Sequence, residues 1–439
     1  MKRILLSTAL LIMVMSLVFA GGGQQSGSGG LTTIRFGCGW NASDGGQGQL
    51  GTKLIKDWAA KNNVNLQMEV VTGDEQRNKV QVDAAANNLA DCQLFWGAVL
   101  CMNYARAGLL LNVDEYYKTA TKHKKSDITD EAWSFYTVDG KQIGFPTDGY
   151  TGYFVCNQAL FKKYGLDFPK TYDDMVAVSK VFNQNGIVPF AVGSKGGNPS
   201  HLWYSQVYAQ LPNGNDEMYA LNKNWNFNTQ NAKATSQIIA DMRNAGMFPK
   251  DTMANGDWNP STALYTEGKA AMMYSFNWMT NAITMVPDVL DNSVLIPIPK
   301  MPGARDDAQK FMSQATNYGF LISAKSYADS KKTTILNSLI DFMLGDYITT
   351  AAQAGFTIPV DKTVNIDYDK MQNKFLGKVL KFNRDNNIQP STCHYDNYPN
   401  TAACTDFQNF LDELWGGSMD AEQFNTACQR SLDRAKGQN

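Results

Sequence analysis

The sequence is poor in the residues that metal sites and nucleic-acid-binding surfaces need. Only three histidines occur among 439 residues, and His123, His201 and His394 lie far apart in the chain. No two cysteines have the C-x-x-C spacing of a zinc or redox motif. Lys and Arg total 39 against 41 Asp and Glu, and they form no basic patch. These absences argue against a structural metal site and against binding to nucleic acid.

Motifs for nucleophilic catalysis and for phosphate binding are also missing. The sequence contains no G-x-S-x-G and no P-loop, and the glycine-rich stretch 193–197 lacks the Lys-Ser/Thr of a phosphate loop, which makes it a flexible loop by prediction. A glycosidase would need two carboxylates roughly 5–10 Å apart. Asp44 and Asp148 could supply them, but nothing in the sequence determines the distance between them. We therefore expect no catalytic residue, no metal, no cofactor and no enzymatic activity.

The longest apolar run is short and lies at the N-terminus. Lys2 and Arg3 precede an apolar segment over 4–18, and Val18-Phe19-Ala20 has the small final residue of a cleavage site. The run is shorter than the roughly 20 residues that span a bilayer. Residues 1–20 are thus predicted to be a cleavable signal peptide, and the Gly- and Ser-rich residues 21–30 a flexible leader.

Export has a consequence for the cysteines, because an oxidising compartment allows disulfides to form. The chain has seven, at positions 38, 92, 101, 156, 393, 404 and 428. Because the number is odd, at least one cysteine is left over, and we expect Cys92–Cys101 and one pair among the last three as the candidate bridges. Cys38 and Cys156 lie in strand-like runs, where a buried free thiol is expected.

Length and periodicity predict an α/β protein with two lobes. At 439 residues the chain exceeds the size at which a single hydrophobic core stops growing. Strands are predicted over 32–37, 66–71 and 93–96, separated by helical patterns, which indicates βαβ units and a parallel sheet. Thr171, with Asp173 and Asp174 behind it, predicts a capped helix start. Loops that follow parallel strands are where ligands bind in such sheets.

The stretch 139–166, DGKQIGFPTDGYTGYFVCNQALFKKYGL, predicts a crossover between the lobes. A short strand ends at Pro146, because proline cannot donate to a ladder. A polar loop over 147–150 follows, and a buried strand over 152–157 leads into a helix at Gln158. A strand that leaves one lobe and a strand that enters the other, joined by a polar loop, are typical of an interlobe cleft.

Four further segments, on either side of this stretch, have distinctive sequences. They are A-R-A-G-L-L-L-N-V-D-E-Y at 105–116, P-K-T-Y-D-D at 169–174, E-G-K-A-A-M-M at 267–273 and G-F-T-I-P-V at 355–360. Together with DGK-x-x-G-x-P and N-x-x-L-F-K-K-Y-G-L of the crossover, they resemble the extracellular solute-binding proteins of family 1. These are the carbohydrate-type periplasmic receptors of ABC importers, and the resemblance covers most of the mature chain.

The resemblance implies the type II periplasmic-binding-protein fold, in which each lobe is a sheet flanked by helices and a hinge joins the two. We assign 31–146 with 280–324 to lobe 1 and 147–279 with 325–439 to lobe 2, with crossings at Pro146, near 277–280 and near Ile322. It also implies a periplasmic monomer that delivers a sugar to an ABC permease. Many relatives carry a lipid-anchored cysteine after the signal, but glycines stand at 21–23 here, so we expect no lipid anchor.

A sugar-binding site needs two kinds of side chain. Aromatic rings stack on the apolar faces of a sugar, and Asp or Asn side chains bond its hydroxyls. The candidates in loops near strand ends are Trp40, Asn41, Asp44, Trp96, Asp148, Tyr150, Trp203, Trp258, Asn277, Trp278, Asn317 and Tyr318. Trp278 is the strongest stacking candidate because of its place in a family segment. Core packing is the alternative for Trp96 and Trp203, and loop capping is the alternative for Asp148.

Two other functions remain open at this point. A secreted carbohydrate-active enzyme would alter its ligand, whereas a receptor returns it unchanged. A sensory or adhesive protein on the same fold would bind sugar without serving uptake. The sequence also leaves open which sugar is bound, its length, and whether a polyol or a sugar phosphate takes its place.

Overall fold

A computed structural model describes residues 31–40, 46–71 and 74–437. The predicted signal peptide and leader lie outside these ranges. Within them, no helix combines the length and the apolar character needed to cross a bilayer. The regular elements alternate between strands and helices along most of the chain.

The strands form one mixed sheet and two small hairpins. The sheet order is β2-β1-β3-β12-β6-β10-β7, with β11 and β13 also paired to β6, and β14 paired to β12. The three strands predicted near the N-terminus are confirmed as β1, β2 and β3, and they pair in parallel. The strands are β1 Thr32–Cys38, β2 Val64–Val70, β3 Cys92–Phe95, β4 Thr137–Val138, β5 Lys141–Gln142, β6 Phe145–Asn157, β7 Val188–Phe190, β8 Ser194–Lys195, β9 Asn198–Pro199, β10 Ala270–Phe276, β11 Ser293–Leu295, β12 Phe311–Ile322, β13 Ile358–Pro359 and β14 Gln389–Ser391.

Helices flank the sheet and fill the C-terminal part. Thr171 caps its helix as predicted, since its hydroxyl accepts from Asp174 N while the Asp174 carboxylate accepts from the Thr171 backbone. The helices are α1 Gly46–Lys61, α2 Asp74–Ala85, α3 Met102–Arg106, α4 Asp114–Tyr117, α5 Asp130–Phe135, α6 Gln158–Lys163, α7 Tyr172–Gln184, α8 Ser200–Gln210, α9 Gly214–Asn224, α10 Gln230–Asn244, α11 Trp258–Thr266, α12 Thr280–Thr284, α13 Pro287–Asn292, α14 Ala324–Ala328, α15 Ser330–Phe342, α16 Ile348–Ala354, α17 Lys374–Asp385, α18 Thr401–Gly416 and α19 Ala421–Lys436.

The predicted crossover is one continuous strand rather than two strands and a loop. All thirteen residues of β6 are buried. Its first half pairs with β12 and its second half with β10. Pro146 does not end the strand, because the register of the β12 ladder shifts between Tyr318 and Gly319, opposite the proline. The expectation of a polar loop at 147–150 is therefore wrong: the polar side chains there are enclosed by neighbouring strands instead of by water.

Two main hydrophobic cores lie at the two ends of the long strands. One contains Phe36, Phe145 and Phe320, and the other contains Phe154 and Met312. Phe145 and Phe154 both belong to β6, and Phe320 and Met312 both belong to β12. These two antiparallel strands thus run from one core to the other side by side.

Two segments pack into a hydrophobic core other than that of the lobe predicted for them. Ile283 and Val289, in the segment assigned to lobe 1, pack in a cluster with Tyr153 of β6. Leu336 and Ile340 of α15, assigned to lobe 2, pack with Ile34 of β1. The sequence pattern shows that these helices are amphipathic, but it does not show which core their apolar faces cover.

No disulfide joins the seven cysteines, all of which are buried free thiols. The expected Cys92–Cys101 bridge is wrong because the two side chains pack into different hydrophobic clusters. The expected pair among the last three is also absent. The thiol of Cys393 donates to Asp396 (3.2 Å) and that of Cys404 faces the Tyr395 carbonyl (3.9 Å). Cys38 and Cys156 are buried free thiols, as predicted.

Candidate functional site

A cavity of about 530 Å³ lies between the two cores, a size usual for a small-molecule site. Both ends of the molecule contribute to it. Trp96 and Phe135 come from the side of β3, and Trp258 and Trp278 come from the side of β10. A molecule held there therefore contacts both lobes at once.

Two tryptophans form a right-angled aromatic corner in the cavity. The rings of Trp258 and Trp278 have centroids 5.0 Å apart and planes at 89°. Trp278 follows β10 in a short 3-10 turn, and its ring stacks on Phe276 at 4.9 Å and 13°. Tyr150 meets the same ring edge-on at 6.3 Å. Because Trp258 and Trp278 are both half-buried and held by neighbouring rings, they present flat apolar surface without having to rearrange.

The opposite wall is built around Trp96. Its ring packs edge-on against Tyr318 at 5.0 Å. The guanidinium of Arg77, on α2, lies 4.9 Å from the centre of the Trp96 ring and 5.5 Å from that of Tyr395. A cation placed between two ring faces stabilises both rings in position. Because Trp96 and Tyr395 come from distant parts of the chain, this contact joins the two sides of the cavity.

A half-buried carboxylate lies in the cavity wall at Asp396. Its Oδ2 accepts from the Tyr150 hydroxyl at 3.0 Å and from the Cys393 thiol at 3.2 Å. Burial raises the pKa of Asp396 to about 6, against the two hydrogen bonds that lower it. Near neutral pH the Asp396 carboxyl is thus mainly ionised. An ionised carboxylate accepts hydrogen bonds, and here it can accept one from a ligand hydroxyl.

His201 is a neutral acceptor rather than a cation. Burial lowers its pKa to about 4. The Nδ1 atom is 2.8 Å from the Gly197 carbonyl, so Nδ1 carries the proton and Nε2 is left as the acceptor. The ring lies 5.5 Å from Tyr395. The imidazole therefore offers one hydrogen-bond acceptor beside an aromatic face.

A β-bulge places Asn317 in the cavity. In the β6–β12 ladder Thr316 pairs with Gly149 and Tyr318 with Asp148, so Asn317 is the extra residue between them. Bulges redirect side chains out of the alternating pattern. Asn317 lines the cavity as a result, with an amide that donates and accepts.

The glycine-rich loop predicted to be flexible is anchored in the structure. The carboxylate of Asp412, on α18, accepts from Ser194 Oγ (2.6 Å), Gly196 N (2.7 Å) and Gly197 N (3.0 Å). Both glycines have positive φ, of 58° and 73°, which side chains with a Cβ disfavour. The loop lines the cavity with Lys195 and Gly196. The two glycines allow the backbone to adopt the positive φ angles of this anchored turn.

The charges of the cavity nearly balance. Arg77 and Lys195 are the cations of the lining, and Asp257 and Asp396 are its carboxylates. With His201 neutral, no single sign dominates. Aromatic faces combined with balanced polar groups suit a neutral, polyhydroxylated ligand better than a strongly charged one.

Five predicted site residues line this cavity, namely Trp96, Tyr150, Trp258, Trp278 and Asn317. Trp40 and Trp203 do not, because both rings lie in hydrophobic cores. Trp40 rests on Gly51 of α1, where an added Cβ would lie 2.7 Å from the ring. That glycine ends a G-x-G-x-x-G spacing, and here it makes room for the indole. Trp203 is fully enclosed between Phe190 and Tyr274.

Three other candidates do not line the cavity, and each makes hydrogen bonds to neighbouring parts of the fold instead. The Asn277 side chain accepts from Thr151 N (3.0 Å), which ties the end of β10 to β6. The Tyr318 hydroxyl donates to Leu94 O or to Gln76 Oε1, both at 3.2 Å, and its ring supports Trp96 from behind. Asp148 accepts from Thr357 Oγ1 (2.5 Å) and Ile358 N (2.7 Å), so the loop-capping alternative describes it. Asn41 and Asp44 lie outside the described residues.

The buried position of Asp148 gives a testable pH dependence. Burial raises its pKa to about 7 from an ordinary 3.8. Between about pH 4 and pH 7 the folded state thus binds more protons than the unfolded state, and this residue makes the free energy of unfolding fall as pH rises. Asp148→Asn keeps the accepting oxygen and cannot titrate. We expect the variant to gain about 2–4 kcal/mol relative to the wild type between pH 4 and pH 8 in urea unfolding.

Comparing variant with wild type cancels the titration of other groups, including His201. Ser179→Ala, which removes a buried hydroxyl on α7 that has no hydrogen-bond partner and no titratable proton in this range, is the control, and its difference from the wild type should stay constant with pH. A constant difference for Asp148→Asn as well would show that the carboxyl ionises normally.

Several cavity residues were not predicted, chiefly Arg77, His201, Tyr395 and Asp396. Arg77 and His201 lie on helices, where a polar residue signals solvent exposure. Tyr395 and Asp396 lie in a short 3-10 turn far along the chain. The glycine-rich stretch 193–197 was the one visible signal. Among the described residues, no group of His, Cys, Asp and Glu is arranged to hold a metal ion.

Comparison with known proteins gives a consistent result. The sequence model described as bacterial extracellular solute-binding protein matches residues 42–346. A probable sugar-binding periplasmic protein of Mesorhizobium japonicum is 24% identical over 211 residues, which are 47% of this chain and 48% of the relative. The chain thus matches about half the length of this curated relative.

Solved structures show the same fold. A chitin oligosaccharide binding protein has a TM-score of 0.80 at 20% identity, covering 93% of this chain and 100% of its own. A structure described in work on xylan utilization by the thermophilic bacterium Caldanaerobius polysaccharolyticus has a TM-score of 0.78 at 23% identity, covering 91% and 99%. The predicted two-lobed type II fold is therefore confirmed.

Proposed function

Because the chain belongs to the family of bacterial extracellular solute-binding proteins, we propose that it binds a sugar in the cavity between its lobes and delivers it unchanged to an ABC permease. The observation that carries this proposal is the aromatic corner of Trp258 and Trp278, which faces Trp96 across the cavity. Rings on both sides can cover the apolar faces of a sugar, while Asp396, His201 and Asn317 meet its hydroxyls.

The mechanism that we propose is closure of the lobes around β6 and β12. These paired strands connect the two cores, and the cavity is lined from both sides. A ligand that contacts both lobes only when they are closed shifts the population toward the closed form. The closed form of a periplasmic monomer, exported by the signal peptide predicted at 1–20, then presents its surface to the permease.

The lobe division that we propose follows the hydrophobic cores. In it the segment 324–348 joins residues 31–144, because α15 packs with β1. The segment 280–300 joins residues 152–279, because α12 and α13 pack under β6. The chain then crosses a third time after α16, before β13 pairs with β6.

A binding screen tests the proposal. The panel contains xylose, N-acetylglucosamine and glucose with their linear oligomers of up to six units. We expect at least one member to raise the melting temperature and to bind with a micromolar dissociation constant, about -8 kcal/mol, in isothermal titration calorimetry. Chromatography of the released ligand should recover it unaltered.

Two outcomes would contradict the proposal. If no saccharide or polyol binds, sugar reception is wrong. If the ligand is recovered as shorter products, the secreted-enzyme alternative is correct. Loss of uptake on deletion of the gene separates a transport receptor from a sensory or adhesive protein.

A further inference from the structure

A second chamber opens beside the first. Its volume is about 590 Å³. The two chambers share six lining residues, which form the junction between them: Arg77, Val99, Leu100, Gly196, Tyr395 and Gln408. The Arg77 guanidinium and the Tyr395 ring, 5.5 Å apart, therefore lie where the chambers meet.

Both lobes build the second chamber, as they build the first. Asn78 and Gln81 come from α2 and Asn103 from α3, which belong to the first lobe. Thr405 and Asn409 come from α18, which packs in the second. A ligand that reaches into this chamber thus adds contacts to both lobes, and the lobes hold it only when they are closed.

The second chamber is rich in amide side chains. Among the described residues, five amide side chains line its outer part, and Gln408 lies at the junction. No carboxylate of the described part of the chain lines it, and of the two described cations in its wall, Arg77 and Arg106, the second is paired with Asp139 at 3.0 Å. Amides both donate and accept, as sugar hydroxyls do. Apolar surface from Leu100, Met102 and Pro399 lies among them.

We infer that the ligand is an oligosaccharide whose first rings occupy the chamber of Trp258 and Trp278 and whose following rings extend past Arg77 and Tyr395 into the second chamber. This inference rests on the proposed function. A single sugar would fill only the first chamber and would leave the amide-lined space to water. Chain length is then part of what the cleft recognises, and affinity rises with each ring until both chambers are filled.

The test uses the same panel with one blocking variant. Asn409 is exposed on α18, and Asn409→Trp places an indole in the second chamber. We expect the wild type to bind the best oligomer series at least tenfold more tightly than its monosaccharide. Asn409→Trp should lower the affinity for the long oligomers at least tenfold and change that for the monosaccharide less than threefold. Lys233→Trp, exposed on α10 and away from both chambers, is the matched control.

A second variant is needed because the bulky residue of the first could disturb the fold. Asn103→Ala with Asn409→Ala removes two exposed amides and adds no bulk. It should weaken only the longer oligomers, roughly fivefold, at an unchanged melting temperature. Equal affinity for monomer and oligomers, or equal loss at all lengths in both variants, would overturn the inference and leave sugar binding intact. If no saccharide of any length binds, the proposed function itself is wrong, and this inference is wrong with it.

Discussion

Trp278→Ala is expected to weaken saccharide binding about 30-fold or more and to remove most of the ligand-induced rise in melting temperature. The ring stands at right angles to Trp258 and stacks on Phe276, so it is held in place before a ligand arrives. Loss of a well-packed aromatic anchor at the centre of a site costs at least about 2 kcal/mol of binding free energy, and 1.4 kcal/mol corresponds to a factor of ten. Isothermal titration calorimetry measures the change.

The unliganded protein should lose little stability in this variant. The ring is half-buried, and its stacking on Phe276 is worth about 1 kcal/mol. Tyr368→Ala is the control, since Tyr368 is a half-buried aromatic residue that lines a separate surface concavity. It should leave saccharide affinity unchanged. If Trp278→Ala binds within threefold of the wild type, the aromatic corner does not hold the ligand.

Asp412→Ala is expected to destabilise the fold by about 2–4 kcal/mol and to lower saccharide affinity about tenfold. The carboxylate accepts three hydrogen bonds from the loop at 194–197, and such charge-assisted bonds are each worth about 1.5–3 kcal/mol. Without it, two backbone N–H groups and a hydroxyl lose their acceptor. The loop that carries Lys195 and Gly196 into the cavity then loses its anchored shape. Urea unfolding and calorimetry measure the two effects.

Two further variants separate the loop from general stability. Asp412→Asn retains one oxygen, which can still accept from both Ser194 and Gly197, so its effects should be intermediate. Asp406→Ala, on the same helix, removes contacts to Ser431 and Arg434 that are remote from the loop. It should reduce stability and leave affinity unchanged. An equal loss of affinity in Asp406→Ala and Asp412→Ala would show that the loop has no specific part in binding.

The cavity could be predicted in part because ligands in α/β sheets bind at the ends of strands, where aromatic residues are then candidates for contact. Trp278 lies just after β10 and Trp96 directly after β3, whereas Trp258 begins the helix α11. The same pattern failed at Trp40 and Trp203, since an indole after a strand packs equally well against a helix glycine or other aromatic rings. The hydrogen bonds of Asp148 could not be predicted either, because its partners Thr357 and Ile358 are more than 200 residues away in the chain.

By itself the sequence determined the local structure: the parallel strands at the N-terminus, the Thr171 helix cap and the buried strand that contains Phe154. These follow from hydrophobic period and backbone chemistry over a few residues. Only the tertiary structure decided that the cysteines stay unpaired, that α15 covers the first core, and that Arg77 and Tyr395 meet at the cleft. Such contacts join residues that are hundreds of positions apart, and no local pattern specifies which apolar faces and polar groups will pack together.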